Sequence, residues 1–228
     1  MASAATLISF VRDAIGVDSS GYVSDTQILN WLNIGQRQLA TQAGIMYTTE
    51  TATTVAGQEE YSVPGDFLRL MAVYLYHTSG DRAQKALFPI SVAERDPTLT
   101  QGTPDSFFVH GANVGSDNSM VIGLCPIPDT NNAGSNLEIW IRQLPKDMVS
   151  GGQGPESMLQ WQDCLVHFAA ARAFTRLATA DPGKAALADR EMAIWDTWLK
   201  RARKFQSPMA LGIPTRRLIT YTPGHDFD

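Results

Sequence analysis

With 228 residues, 44% of them hydrophobic and 18% charged, the chain can bury one substantial core, or a core plus an inserted subdomain. Its net charge of −5 argues against a general nucleic-acid binder, which needs a basic surface to displace the counterions of phosphate. Cys125 and Cys164 give no disulfide framework, no run approaches the roughly 20 apolar residues of a membrane span, and Arg12-Asp13 interrupt the apolar N-terminus before it reads as a secretion signal.

Residues 4–15 read as a short amphipathic helix, because Leu7, Phe10, Val11 and Ala14 fall at i, i+3, i+4 and i+7. Gly16 ends it, and residues 16–23 form a loop rich in Gly, Asp and Ser. Ser24 with Gln27 three residues on makes a capping box. The helix it opens is expected to bury Ile28, Leu32, Gly35 and Leu39 on one stripe, with Trp31 beside it and Gly44 as its stop.

From about 51 to 149 the pattern changes to short β runs separated by Gly, Pro and Asn, near 51–56, 59–63, 67–77, 105–110, 119–124 and 136–143. The most specific stretch is GQEEYSVPGDFLRL at 57–70, which reads as a β-corner. Tyr61 and Val63 alternate with polar neighbours, Pro64 removes a backbone donor, and Gly65-Asp66 is turn chemistry. Residues 67–73 then begin a new, largely buried strand. Ser91 and Glu94 form a second capping box, a single helical turn before Pro97.

The expected organisation is therefore α+β: a mainly helical body of about four helices with an inserted antiparallel β subdomain. Residues 1–50 supply the N-terminal arm of the body, 51–149 the insert, and 150–206 the helices that complete it, with SGGQGP at 150–155 as the return linker. The third helix spans 157–180, where Ala169, Ala170, Ala171 and Ala173 allow close helix approach. Asp181-Pro182 matches an N-cap followed by proline at the first position of a fourth helix, 182–205. Leu187, Ile194, Trp198 and Ala202 share its stripe, and Met192, Trp195 and Leu199 widen it. A stripe wider than about 100° means either deep burial or two partners.

The last segment, 207–228, is read as an extended C-terminal arm that gains its order by docking. Pro208, Pro214 and Pro223 rule out a long helix, yet Met209, Leu211, Ile213, Leu218, Ile219 and Tyr221 are too apolar for a solvated tail. Residues 195–228 carry a net charge of +3, leaving −8 for residues 1–194. Cations suit the end of the fourth helix, which explains Lys200, Arg201, Arg203 and Lys204. Arg216 and Arg217 lie past two prolines and point instead to an acidic partner.

The chain offers little chemistry. Cys164 and His167 share a helix face at metal-ligand spacing, but no second pair accompanies them and zinc needs at least three protein ligands. A partly buried Cys and a boundary His is the plainer reading. There is no nucleophile elbow, phosphate-binding loop or His-Glu-x-x-His, and Asp66 and Asp129 sit where carboxylates cap turns. No catalytic, cofactor or metal site is expected.

The order of its weak motifs carries more than any one of them. YVSDTQILNWLN at 22–33 runs into Gln36-Arg37-Gln38-Leu39-Ala40, and the corner at 57–70 follows. GTPDSFFV at 102–109, LCPIPD at 124–129 and the Ala-rich helix at 165–177 come next. In this order, over about residues 5 to 200, the chain resembles the head-to-tail adaptor proteins of tailed, especially short-tailed, bacteriophages. The resemblance implies a structural virion protein, not an enzyme. It would be made in the host cytoplasm and form a ring, a dodecamer of adaptor copies, under the portal protein. Packaged DNA would pass without specific binding, tail or nozzle components would dock on the far side, and no membrane is involved. Asn33, Tyr61, Pro64, Asp66, Phe67 and Pro104 match motif positions that look architectural. Leu211, Ile213, Arg216, Arg217, Leu218, Ile219 and Tyr221 are the expected partner-binding residues of the arm. A tail-proximal neck or tail-completion protein shares this physics but docks elsewhere, and a cell-wall hydrolase would need a carboxylate pair formed only in the fold.

Overall fold

The computed structural model describes residues 2–16, 22–63, 67–76, 84–95, 98, 100–111, 120–149, 151–156 and 159–205. The chain is an α+β protein. Its helices are α1 (Ala4–Ile15), α2 (Asp25–Ala43), α3 (Gln162–Leu177) and α4 (Lys184–Phe205). Between α2 and α3 run β1 (Tyr47–Thr53), β2 (Glu60–Val63), β3 (Phe67–Tyr76), β4 (Gln84–Ala86), β5 (Phe88–Pro89), β6 (Gln101–Gly102), β7 (Ser106–Gly111), β8 (Met120–Cys125), β9 (Ile127–Pro128) and β10 (Asn136–Gln143).

Local signals place the first two helices to the residue. Ser3 caps α1, and Gly16 closes it in the left-handed conformation (φ 64°) that glycine adopts without a Cβ penalty. Both halves of the Ser24–Gln27 capping box form, and Gly44 (φ 63°) closes α2 in the same way. Arg12 Nε donates to Asp25 Oδ1 at 2.7 Å and ties the two helices together. The face that α1 buries differs from the expected one. Leu7 and Val11 are buried with Ala4 and Ile15, whereas Phe10 is 47% exposed and Ala14 faces solvent. The helix is turned so that Ala4 and Ile15, not Phe10 and Ala14, flank the Leu7–Val11 line.

α3 is the hub, packing against α1, α2 and α4. Ala169, Ala170, Ala171 and Ala173 are completely buried, so short side chains let three neighbours approach one axis. Gly35 of α2 serves the same end: a Cβ there would lie 2.9 Å from Phe168 Cδ1. α3 starts at Gln162 rather than 157, after a 3-10 turn over Leu159–Trp161, and ends at Leu177. α4 begins at Lys184 rather than 182, because the turn before it is wound as 3-10. Asp181 Oδ1 accepts from Gly183 N at 3.0 Å, and Asp181 O accepts from Lys184 N. The buried stripe of α4 is Ala188, Trp195, Leu199 and Ala202, one position round from the expected line through Leu187, Ile194 and Trp198. It meets both α3 and α2, so its width comes from two neighbours and not from deep burial.

Strand begins at Tyr47, four residues before the expected 51, since α2 has already closed at Gly44. The six expected runs are present, together with the short strands β4, β5, β6 and β9. Two four-stranded sheets form, ordered β1-β10-β3-β4 and β2-β8-β7-β5. They share a core of alternate residues, among them Tyr61, Val73, Leu75, Phe107, Ile122, Leu124, Leu137, Ile139 and Ile141. The Ser91–Glu94 box closes a 3-10 turn over Val92–Glu94. β3 departs from the largely buried run expected at 67–73. Its register against β10 slips twice, which leaves Leu68 and Met71 as extra residues at 38% and 44% exposure.

One close approach inside the second sheet is specific to glycine. Phe108 lies opposite Gly123, and a Cβ on Gly123 would stand 2.1 Å from Phe108 Cζ. Gly111 belongs to the same strand pair, and among the described residues nothing lies within 4 Å of where a Cβ would stand. Gly123→Ala is expected to destabilise by about 1–3 kcal/mol through overpacking. Gly111→Ala should stay within about 0.5 kcal/mol of wild type. Urea unfolding of both variants checks this, and equal effects would contradict the packing.

Candidate functional site

The chain's most demanding polar contacts lie where the strands give way to helix again. Asn33 and Gln36, at i and i+3 on α2, are buried beside its apolar stripe. Asn33 Nδ2 donates to Met148 O at 3.0 Å, and Met148 N donates back to Asn33 Oδ1 at 2.9 Å. Gln36 Nε2 donates to Lys146 O at 3.0 Å, while Glu156 N donates to Gln36 Oε1 at 2.9 Å. Each amide thus uses both its donor and its acceptor on main chain that lacks a ladder of its own. Met148 is buried in the helical core between these bonds. The N-terminus grips the same segment from the other side, with Ala4 N on Gln153 O (2.6 Å) and Ala5 N on Gly151 O (3.0 Å).

Asn33 thus pairs both ends of its amide with the main chain of Met148. Gln36 was not singled out from sequence. Its signal was an amide three residues from another, on the flank of an apolar stripe where a solvated residue has no reason to recur.

A second group ties the turn between β1 and β2. The Tyr61 hydroxyl donates to Gln58 O (3.1 Å) and accepts from Val55 N (3.1 Å), and burial raises its pKa above the ordinary phenol value. Buried Thr54 donates through Oγ1 to Asn132 O at 2.6 Å. Asp129 caps the facing turn, accepting from Asn131 N, Asn132 N and Asn132 Nδ2. The Asn132 side chain, then those backbone donors, hold its carboxyl below the usual range. A carboxyl lowered in the folded chain favours the fold above the ordinary carboxylate range, and that contribution is lost as pH falls through the lowered value. Pro104 is buried, and its carbonyl accepts from Lys85 Nζ at 3.1 Å.

Asn33, Tyr61 and Pro104 therefore secure three separate contacts and are not gathered into one site. Phe67 opens β3, while Pro64 and Asp66 lie outside the described residues. So do all seven arm residues, Leu211, Ile213, Arg216, Arg217, Leu218, Ile219 and Tyr221.

Cys164 and His167 do not converge on a shared ligand. The Cys164 thiol donates to Trp161 O, and burial, then Asp163, push its pKa up to about 12. His167 Nδ1 sits 2.7 Å from Glu191 Oε2, bridging α3 to α4. Among the described residues no group of three or more His, Cys, Asp or Glu is placed to hold a metal, and no helix is long and apolar enough to cross a membrane.

The family model described as SU10 adaptor protein matches residues 2–211. The chain belongs to this family of phage head-to-tail adaptors. No curated protein matches the chain.

Removing the clamp gives a direct measure of it. Asn33→Ala orphans the Met148 N–H and C=O, each at a cost of about 1–3 kcal/mol when buried. Thr41→Ala, on the exposed face of the same helix, should stay within about 0.5 kcal/mol of wild type. Chemical denaturation separates the two, and a near-neutral Asn33→Ala would show that the segment does not depend on this amide.

Proposed function

We propose that copies of this chain form a ring, a dodecamer, seated on the portal protein of a phage virion. The ring continues the DNA channel, and its far side is the platform on which tail or nozzle components dock. Family membership over residues 2–211 is the observation that carries this reading. Charge distribution agrees with it. The −8 carried by residues 1–194 suits a wall past which DNA slides without specific binding. The basic end of the chain suits attachment to an acidic partner surface.

In this reading the arm, 207–228, docks against a neighbouring copy or the portal and holds the assembly together. Leu211, Ile213, Leu218, Ile219 and Tyr221 fill pockets, and Arg216 and Arg217 set register against carboxylates on the partner. Each well-buried aliphatic is worth roughly 1.5–3 kcal/mol before entropy is subtracted. Among the described residues the helical core reaches Ala202, and the Phe205 ring lies 6.0 Å from Trp161.

Truncation after Gln206 tests this. The expected result is a melting temperature close to wild type with loss of assembly onto purified portal. A large fall in melting temperature would place the arm in the chain's own core and contradict the reading.

A further inference from the structure

Sheet edges are dangerous when left long and regular, because their free N–H and C=O groups are a template for another strand. Three of the four edges in the two large sheets are short. β4 has three residues, β2 four, and β5 two with Pro89 as the second. β1 is different. Tyr47–Thr53 pairs with β10 through all seven residues without a register shift, and its other side has no partner among the described residues. It contains no proline, lysine or bulge, and Glu50 is its single charge. Thr49, Thr51 and Thr53 stand exposed along one face, the β-branched residues a pleated strand favours.

A matching segment exists in the same chain. Pro214 and Pro223 bracket eight residues, TRRLITYT, rich in β-branched and aromatic side chains. Proline ends a hydrogen-bond ladder, so these two fix a strand close in length to β1. Arg216 and Arg217 are adjacent, so in either register one of them falls on Glu50's side of the sheet. The segment lies beyond the family match, which stops at residue 211.

Its origin is also constrained. Arg203 Nε donates to Gln42 O at 3.1 Å, so α4 ends beside the end of α2, just before β1 begins. Residues 206–214 then intervene, a spacer that spans up to about 30 Å when extended. That is the width of a small domain, and Pro208 and Pro214 resist folding it back. A strand destined for its own copy's β1 would need no such spacer.

We infer that the outer edge of β1 is a strand-addition site that receives residues 215–222 of a second copy. This rests on the docking-arm reading above and names the surface the arm meets. Main-chain bonds supply the affinity, and Glu50 with one of the two arginines selects the register.

Cysteine pairs in full-length protein test it. Thr49→Cys protein is mixed at high concentration with Thr220→Cys protein, and separately with Tyr221→Cys protein, under mild oxidation. Residues 220 and 221 point to opposite faces of a strand, so one mixture should give covalent dimer and the other should not. Neither cross-linking, both cross-linking equally, or the same yield with Thr175→Cys, an exposed position of α3, in place of Thr49→Cys would overturn the inference. Truncation after Gln206 separates the two levels. Lost assembly without a face-selective cross-link puts the arm on another surface, whereas intact assembly without a cross-link removes the docking arm as well.

Discussion

The structure depends on how a long insertion returns to a helical core without leaving its main chain unpaired. Residues 144–149 and 151–156 come back from β10 in no regular element, so their N–H and C=O groups have no ladder. Asn33 and Gln36 supply the missing partners from one face of α2. With Met148 buried between these bonds and the N-terminus of α1 closing over Gly151 and Gln153, the segment becomes part of the helical core. The two cores, one helical and one between the sheets, are thereby joined through hydrogen bonds at fixed positions. α3 can then act as a hub, because the segment that leads into it is already held.

What was legible in the sequence follows from how local each signal is. Ser24 with Gln27, Ser91 with Glu94, and the glycines after α1 and α2 act within four residues, and the structure forms all of them. Phase was harder. In α1 and α4 the bulky residues Phe10, Ile194 and Trp198 drew the apolar stripe toward themselves, while the small Ala4 and Ala188 lie on the faces that are buried. An alanine gains little by burial, but it alone permits the approach that buries its neighbours. The bulges at Leu68 and Met71 were out of reach, since register is a property of β3 and β10 together. Gln36 was missed for the same reason: its partners lie 110 and 120 residues away. The arm residues and the Pro64–Asp66 turn fall outside the described part of the chain, so their roles rest on sequence.

The physical character of the chain suits the structural role of its adaptor family. Its described cores are apolar, its turns are tied by Tyr61, Thr54 and Asp129, and its Cys164 thiol is buried and hard to ionise. The excess positive charge of the chain's end sits on the last turns of α4, while residues 207–228 balance Arg216 and Arg217 against Asp226 and Asp228.

Cryo-electron microscopy of the neck of the virion that carries this chain tests the account most directly. The account predicts a closed ring of this protein between portal and tail, around an open channel. A reconstruction that places the chain at the tail tip, or finds the portal continuous with the tail without it, would contradict the account.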